Sequence, residues 1–362
     1  MAGASSSKKA EEARTRATGV AIVGCGLIGQ KRVKALAGAR LVSCADLDVA
    51  RARALAQTSG AFATVDWRAA VDRPDVDIVV VATTNEALAD ISVAALDAGK
   101  HIIVEKPAAR SVAEVDRVIA ARSRAGRQAR VGFNHRYHPA LQRAYELVRQ
   151  GEVGELMFIR GRYGHGARVG YEQEWRANPA LSGGGELIDQ GVHLVDLSRW
   201  FLGDVAHVTG FAHTYFWQMP VDDNAFLTLR TAKEQTAFLH VSCTEWKNLF
   251  SLEIYGRGGK LHVEGLGGSY GVERLTFYRM LPEMGPPETT AWEYPRGDRS
   301  WELEFAEFLE DIRLNRTPSA GLADARAALV IVEEVYRQSK MEWTAEPEAN
   351  ASGPHTQRGV PA

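Results

Sequence analysis

The chain has 362 residues, 45% of them hydrophobic and 24% charged, with 43 Lys and Arg against 45 Asp and Glu. That length exceeds one ordinary core and suits two domains, and a net charge of -2 gives no one-signed field to attract nucleic acid or an anionic membrane. Cys25, Cys44 and Cys243 form no C-x-x-C pair, so they read as buried free thiols of a reducing compartment, not as a disulfide frame or a structural zinc site.

Residues 1–18 and 344–362 are small, polar and charged without periodicity, and both tails are expected to lack fixed structure. The first lacks the apolar core of a secretory signal, and no apolar run is long enough to span a bilayer, so a cytoplasmic protein is expected. Between residues 19 and 132, short runs of Val, Ile and Ala predict parallel strands at Val20–Val23, Leu41–Ala45, Ile78–Ala82, His101–Val104 and Ala129–Gly132. Helical stretches at Ile28–Ala37, Val49–Gln57 and Leu88–Ala98 alternate with them, the last stopped by Gly99. This alternation predicts a doubly wound parallel α/β sheet, a Rossmann domain over 19–132. From 133 to 343 the texture changes. A helix at Pro139–Arg149 leads into alternating runs at Leu156–Tyr163, Val208–Phe216, Ala225–Thr231, Thr236–Trp246, Phe250–Tyr255 and Lys260–Glu264, the last two forming a hairpin. Helices at Trp301–Leu314 and Ala323–Lys340 follow. The second half is expected to be an α+β domain with a large, mostly antiparallel open sheet closed by these helices.

Gly24-Cys25-Gly26-Leu27-Ile28-Gly29 is a G-x-G-x-x-G that follows a strand and opens a helix. The first glycine permits the turn, the second lets backbone approach a pyrophosphate, and the third allows close helix packing. Asp46 ends the next strand, where an acid would accept the adenosine ribose hydroxyls and repel a 2′-phosphate. NAD is therefore expected over NADP. Arg51 and Arg53 would offset this if they faced a phosphate, but a solvated helix face is the plainer reading. Ala82-Thr83-Thr84-Asn85 ends a strand beside the expected crevice, and Thr84 or Asn85 would equally serve as a helix N-cap.

Glu105-Lys106-Pro107 places a lysine just past a buried strand; alone, such a lysine is more often a surface charge. Further on, the run Gly183 to His193 sets Asp189 and His193 four apart, on one face if the segment is helical. Histidine is suited to gain and lose a proton near neutrality, though a pair of this kind could also be a satisfied core pair. Together with Val131-Gly132-Phe133-Asn134, these ordered motifs resemble the Gfo/Idh/MocA oxidoreductases, the resemblance running from about Gly19 to Lys340. It implies that Lys106, Asp189 and His193 are the catalytic set. His193 would act as acid/base with Lys106 polarising the reacting oxygen, or Lys106 would itself be the base. Gly24, Gly26, Leu27, Ile28, Gly29, Asp46, Thr83, Thr84, Asn85, Glu105 and Lys106 would hold the cofactor. It further implies a homodimer or homotetramer built through the second sheet. Many relatives carry Pro at the Thr84 position and His at the Leu88 position, so one polar contact near the cofactor is lost here.

Two segments are candidates for substrate recognition. Phe133 to Pro139 includes Arg136, which would reach a hydroxyl or acidic group or else pack between domains. The Gly-rich stretch with Tyr163, His165, Arg168, Tyr171 and Trp175 interleaves rings and cations, suiting a sugar face and its hydroxyls, a phosphate, or a subunit interface. The reading is an NAD-dependent dehydrogenase of a sugar, sugar derivative or cyclitol. Alternatives are a ketoreductase of a nucleotide-linked or decorated sugar, an enzyme that recycles its own NAD, and a non-catalytic cofactor-binding protein. No nucleic-acid partner is expected, and no metal, for want of a Cys/His ligand set.

Overall fold

The computed structural model describes residues 17–283 and 285–341, so the expected tails lie outside the described residues except for Ala17 and Thr18. In chain order the first half holds β1 (Gly19–Val23), α1 (Leu27–Lys34), β2 (Arg40–Ala45), α2 (Val49–Ala56), β3 (Phe62–Thr64) and α3 (Trp67–Val71). It continues with β4 (Ile78–Val81), α4 (Asn85–Asp97), β5 (His101–Val104), α5 (Val112–Ala125) and β6 (Ala129–Val131). The second half has α6 (Pro139–Arg149), β7 (Leu156–Gly164), a single turn α7 (Pro179–Ser182), α8 (Val192–Leu202), β8 (Val205–His213), β9 (Asn224–Thr231) and β10 (Thr236–Ser242). Then come β11 (Leu249–Gly256), β12 (Gly259–Glu264), β13 (Glu273–Arg279), β14 (Glu288–Tyr294), α9 (Ser300–Leu314) and α10 (Leu322–Ser339).

The first sheet has the order β3-β2-β1-β4-β5-β6, and its registered pairs are parallel. The strand order reverses between β1 and β4, so a crevice opens at the carboxyl ends of these two strands. β1 and β4 are buried at every position, which is why they read as unbroken apolar runs. Caps fix several helix starts: Asp48, Asp66 and Ser111 each accept a backbone N–H at the first turn. Leu88 is fully buried in the core of the first domain.

The second sheet has eight strands in the order β14-β13-β12-β11-β7-β10-β9-β8, antiparallel except for the β7–β10 pair. Its inner face, with Ile159, Leu227, Leu239, Leu252, Ile254 and Leu261, is buried against the helical layer that includes α8 and α10. The expected hairpin is β11–β12, paired up to Gly256 opposite Gly259. Two findings depart from expectation. The run Gly183 to His193 is not one regular helix: a π-helical turn at Leu187–Gly191 precedes α8. And α9 does not close the second domain. Its Phe305 and Phe308 pack with Val20, Ile22, Ile78, Val80 and Ile103 on the first sheet. Glu304 of α9 pairs with fully buried Arg32 of α1, and Asp311 with fully buried Arg130 of β6. Among the described residues, no helix is long and apolar enough to cross a membrane.

Candidate active site

A cleft of about 520 Å³ lies between the two sheets and is lined from both halves of the chain. On the first-sheet side it is bounded by Leu27, Ile28, Lys31, Ala82, Thr83, Asn85, Glu105 and Lys106. The glycine turn is built as its spacing implies. Gly24 has φ +94°, and a Cβ there would meet the carbonyl oxygen of Ala82 at 2.3 Å. A Cβ on Gly29 would meet the carbonyl of Gly24 at 2.0 Å, so α1 can approach β1 only with glycine there. At Gly26 a Cβ would meet nothing within 4 Å, so the space above that backbone is open. Asp46 is half-buried; its carboxylate accepts the N–H of Cys25 at 2.7 Å and of Asp48 at 2.9 Å, which ties the end of β2 to the glycine turn. These residues fit a dinucleotide: an open backbone cradle at a helix N-terminus with an acid beside it.

Other expected cofactor residues divide. Thr83 and Asn85 line the cleft, Asn85 also donating to the carbonyl of Ser182 at 2.8 Å. Thr84 is the residue preceding α4, and its hydroxyl donates to Glu86, so it acts at the helix start and is not part of the cleft wall. The carboxylate of Glu105 is taken by Arg32, whose Nε donates to it at 2.7 Å. Glu105 therefore lines the cleft with its carboxylate turned to Arg32.

Lys106 reaches across the cleft from the end of β5. Its Nζ donates to the carbonyl of Asp189 at 2.5 Å and forms an ion pair with the Asp189 carboxylate. The Nε of Arg176 donates to the other carboxylate oxygen at 2.8 Å. Burial works to raise the pKa of Asp189, but the two cations outweigh it and hold the group well below the usual carboxylate range. His193 lines the same cleft from α8, one turn past Asp189. Burial, then the charge of Lys106, push its pKa well below the ordinary histidine value, so the ring is neutral. It stacks on His135, centroids 3.8 Å apart, and that ring is kept neutral by burial and by His193. The Nδ1 atoms of both rings are buried without a partner. The edge of His193 that meets the cleft therefore carries Nε2.

The substrate-side residues are only partly those the sequence points to. Tyr163, His165, Arg168, Tyr171 and Trp175 all line the cleft. Arg168 is 70% exposed at the side chain and pairs with Glu174 at 2.7 Å. His165 accepts the N–H of Ala167 at Nδ1, 3.0 Å, and its Nε2 lies 3.4 Å from Glu186, so both ring nitrogens face into the protein. Arg136 is a correction. It is buried in a two-pronged contact with Asp196, 2.8 and 2.5 Å, reaches Asp324 at 3.2 Å, and is absent from the cleft wall. The 3-10 turn Asn134–Tyr137 turns His135 toward the cleft and Arg136 away from it. Three further residues belong to the site. Arg176 adjoins Trp175, but nothing local in sequence shows that it meets Asp189. His135 is the immediate neighbour of Arg136 and takes the place expected of it. Glu186 is buried behind the wall, its two oxygens without a hydrogen-bond partner, and burial, then Asp189, raise its pKa well above the ordinary carboxyl value. Burial thus favours its protonated form beside the ionised Asp189.

A parallel sheet with a glycine turn at its switch point, joined to a second lobe whose helical layer brings an acid and a histidine to the first sheet's lysine, defines a dinucleotide-binding oxidoreductase of two lobes. Residues 18–133 match the oxidoreductase family with an NAD-binding Rossmann fold, and residues 141–262 match the GFO/IDH/MocA C-terminal domain. The chain belongs to the Gfo/Idh/MocA oxidoreductase family. It is 33% identical over 172 residues to levoglucosan dehydrogenase of Pseudarthrobacter phenanthrenivorans, covering 47% of this chain and 44% of that protein. To inositol 2-dehydrogenase 2 of Saccharopolyspora erythraea it is 32% identical over 201 residues, 54% of this chain and 56% of that one. The chain thus matches about half the length of these curated relatives. A solved levoglucosan dehydrogenase in complex with NADH shares the fold, with a TM-score of 0.81 at 24% identity over 90% of this chain and 98% of that one.

Proposed function

We propose that the protein is an NAD-dependent dehydrogenase that exchanges a hydride with a secondary alcohol or ketone carbon of a sugar, sugar derivative or cyclitol. The observation that carries this reading is the charged knot of Lys106, Asp189 and Arg176 set beside a neutral His193 in one cleft under the glycine turn. A dinucleotide held by that turn through its pyrophosphate would supply, in its nicotinamide, the hydride acceptor for alcohol oxidation. The chain's own residues handle the proton and the charge. Neutral His193 takes the hydroxyl proton at Nε2, and the Lys106 ammonium, held by Asp189, donates to the oxygen as negative charge develops. Lys106 is engaged as the cation of an ion pair, which favours His193 over it as base. Asp46 at the end of β2 supports NAD over NADP. The substrate classes named for the two curated relatives, an anhydrosugar and a cyclitol, support a polyol substrate.

The test is cofactor reduction with NAD and, separately, NADP across inositols, aldoses, anhydrosugars, glycosides and sugar acids. Turnover with one class that falls about a hundred- to a thousandfold in Lys106→Met is expected, given the size of a lost oxyanion donor. Equal turnover in that variant would overturn the assignment. With His193 as base, the acid limb of kcat/KM should lie below the ordinary histidine value of about 6.5.

A further inference from the structure

Oxidation of an alcohol releases a proton inside the cleft, and three of the four imidazoles on its wall are badly placed to keep it. His193 takes the proton at Nε2, but its ring is buried beside the Lys106 ammonium and its Nδ1 has no partner. His135, stacked on it, is buried in the same way, also with Nδ1 unpartnered. His165 accepts the N–H of Ala167 at Nδ1 and would forfeit that bond on taking a proton there.

His138, the fourth, is set differently. It immediately precedes α6, with its ring centroid 5.7 Å from that of His135. Its Nδ1 lies 2.9 Å from one carboxylate oxygen of Glu273, the first residue of β13. That oxygen also receives a longer N–H contact from Gly267 at 3.4 Å, and the other accepts the N–H of Ala140 at 2.7 Å. Both oxygens are acceptors, so the ring donates from Nδ1 and keeps Nε2 for a further proton. Nε2 makes no hydrogen bond among the described residues and lies 4.0 Å from the carboxylate of Asp298. Among the described residues neither Glu273 nor Asp298 is paired with a lysine or arginine, whereas Asp189 is already held by Lys106 and Arg176. A proton on Nε2 of His138 therefore meets uncommitted negative charge on both sides of the ring. There is also a way out. His138 and Asp298 line both the cleft and an outer hollow of about 310 Å³ between the start of α6, the end of β14 and the start of α9. The Asp298 side chain is 26% exposed there, and no residue of the first sheet contributes to the hollow.

We propose that His138 carries the reaction proton out of the cleft, receiving it from His193 through water and passing it by way of Asp298 to solvent in the outer hollow. The hydride leaves with the nicotinamide. The hydroxyl proton goes from the substrate oxygen to His193, then to His138, then to solvent, and both rings return to the neutral state. His138 acts through His193 and not on the substrate. The inference rests on the dehydrogenase reading and adds to it the path of the proton.

The experiment follows one turnover of the full chain with NAD and the polyol it oxidises, in weak buffer, reading NADH by absorbance and released protons by an indicator dye. In wild type the two signals should rise together. In His138→Gln, whose amide can still donate to Glu273 but cannot relay a proton, proton release should lag behind NADH and kcat should fall about tenfold or more. Added imidazole should shorten the lag and restore kcat in a saturable way. Signals that stay in step in the variant overturn the proposal, even if both are slow, because a merely displaced site slows both alike. A lag that imidazole leaves unchanged overturns it too. Should His138→Gln not fold, Asp298→Asn at the more exposed end of the path decides by the same two signals. Absence of NADH from wild type with every polyol refutes the dehydrogenase reading and this path with it, whereas normal NADH with an unaltered proton signal in the variants refutes the path alone.

Discussion

Asp189 is the residue on which the site's charge turns, because two cations from different elements meet on one buried carboxylate. Arg176→Met removes one of them. Asp189 then loses part of what opposes its burial, and its pKa should rise. We expect kcat/KM to fall about tenfold or more, read from steady-state kinetics at one pH. Glu186 gives the opposite sign. Its folded-state pKa is raised, so its contribution to stability is full below the unfolded carboxyl value of about 4.3 and is lost as pH rises toward the folded value. Wild type should therefore lose stability as pH rises from about 5 to 8. Glu186→Gln, which stays neutral, should lose less over that range; identical slopes in thermal melts would show that Glu186 is ionised in the fold. Neither pairing is legible in the sequence. Lys106, Asp189 and His193 are, because ordered motifs carry them. Arg176 and Glu186 matter through contacts made only when distant segments close on each other.

At the scale of elements, α9 is the piece that reading in chain order misplaces. Its sequence shows a helix, but not which sheet it covers. Phe305 and Phe308 supply the apolar face, and Arg32 and Arg130 fix the docking through Glu304 and Asp311. Both arginine side chains are fully buried, and Arg32 is shared between Glu304 and Glu105, so removing Glu304 strips a buried cation of one of its two carboxylates. Glu304→Ala should cost about 3–5 kcal/mol in urea unfolding. Glu302→Ala, two residues earlier on the same helix and exposed with Arg299, should leave the midpoint unmoved. The strands that the sequence does not reveal have a similar explanation. β13 and β14 read ERLTFYR and ETTAWEY, charged at their ends, and β14 sits at the sheet edge with most side chains exposed. Alternation fades where neither face of a strand is covered, as along most of β14. The π-helical turn is illegible for another reason: its one added residue per turn is set by packing around Leu187 and Ile188, both fully buried.

At the scale of the whole molecule, the outer face of the second sheet carries Phe158, Phe211 and Phe238, between 37% and 53% exposed, with Phe226 stacked on Phe211 and on His240. A row of aromatic rings on an open sheet favours burial against another surface, which supports the expected homo-oligomer. Phe238→Asp should lower the mass seen by light scattering; an unchanged mass would place the contact elsewhere. The return of α9 to the first sheet also bears on how the protein can be taken apart. The chain enters the cofactor lobe, leaves it at β6, builds the second sheet, and comes back to cover Val20, Ile22 and Val80. Cofactor lobe and substrate lobe are thus successive in function but interleaved along the chain. A fragment cut after residue 133 would leave that face of its sheet bare to water, and a chimera that exchanges substrate lobes between relatives would have to carry α9 with the lobe it covers, not with the segment that precedes it.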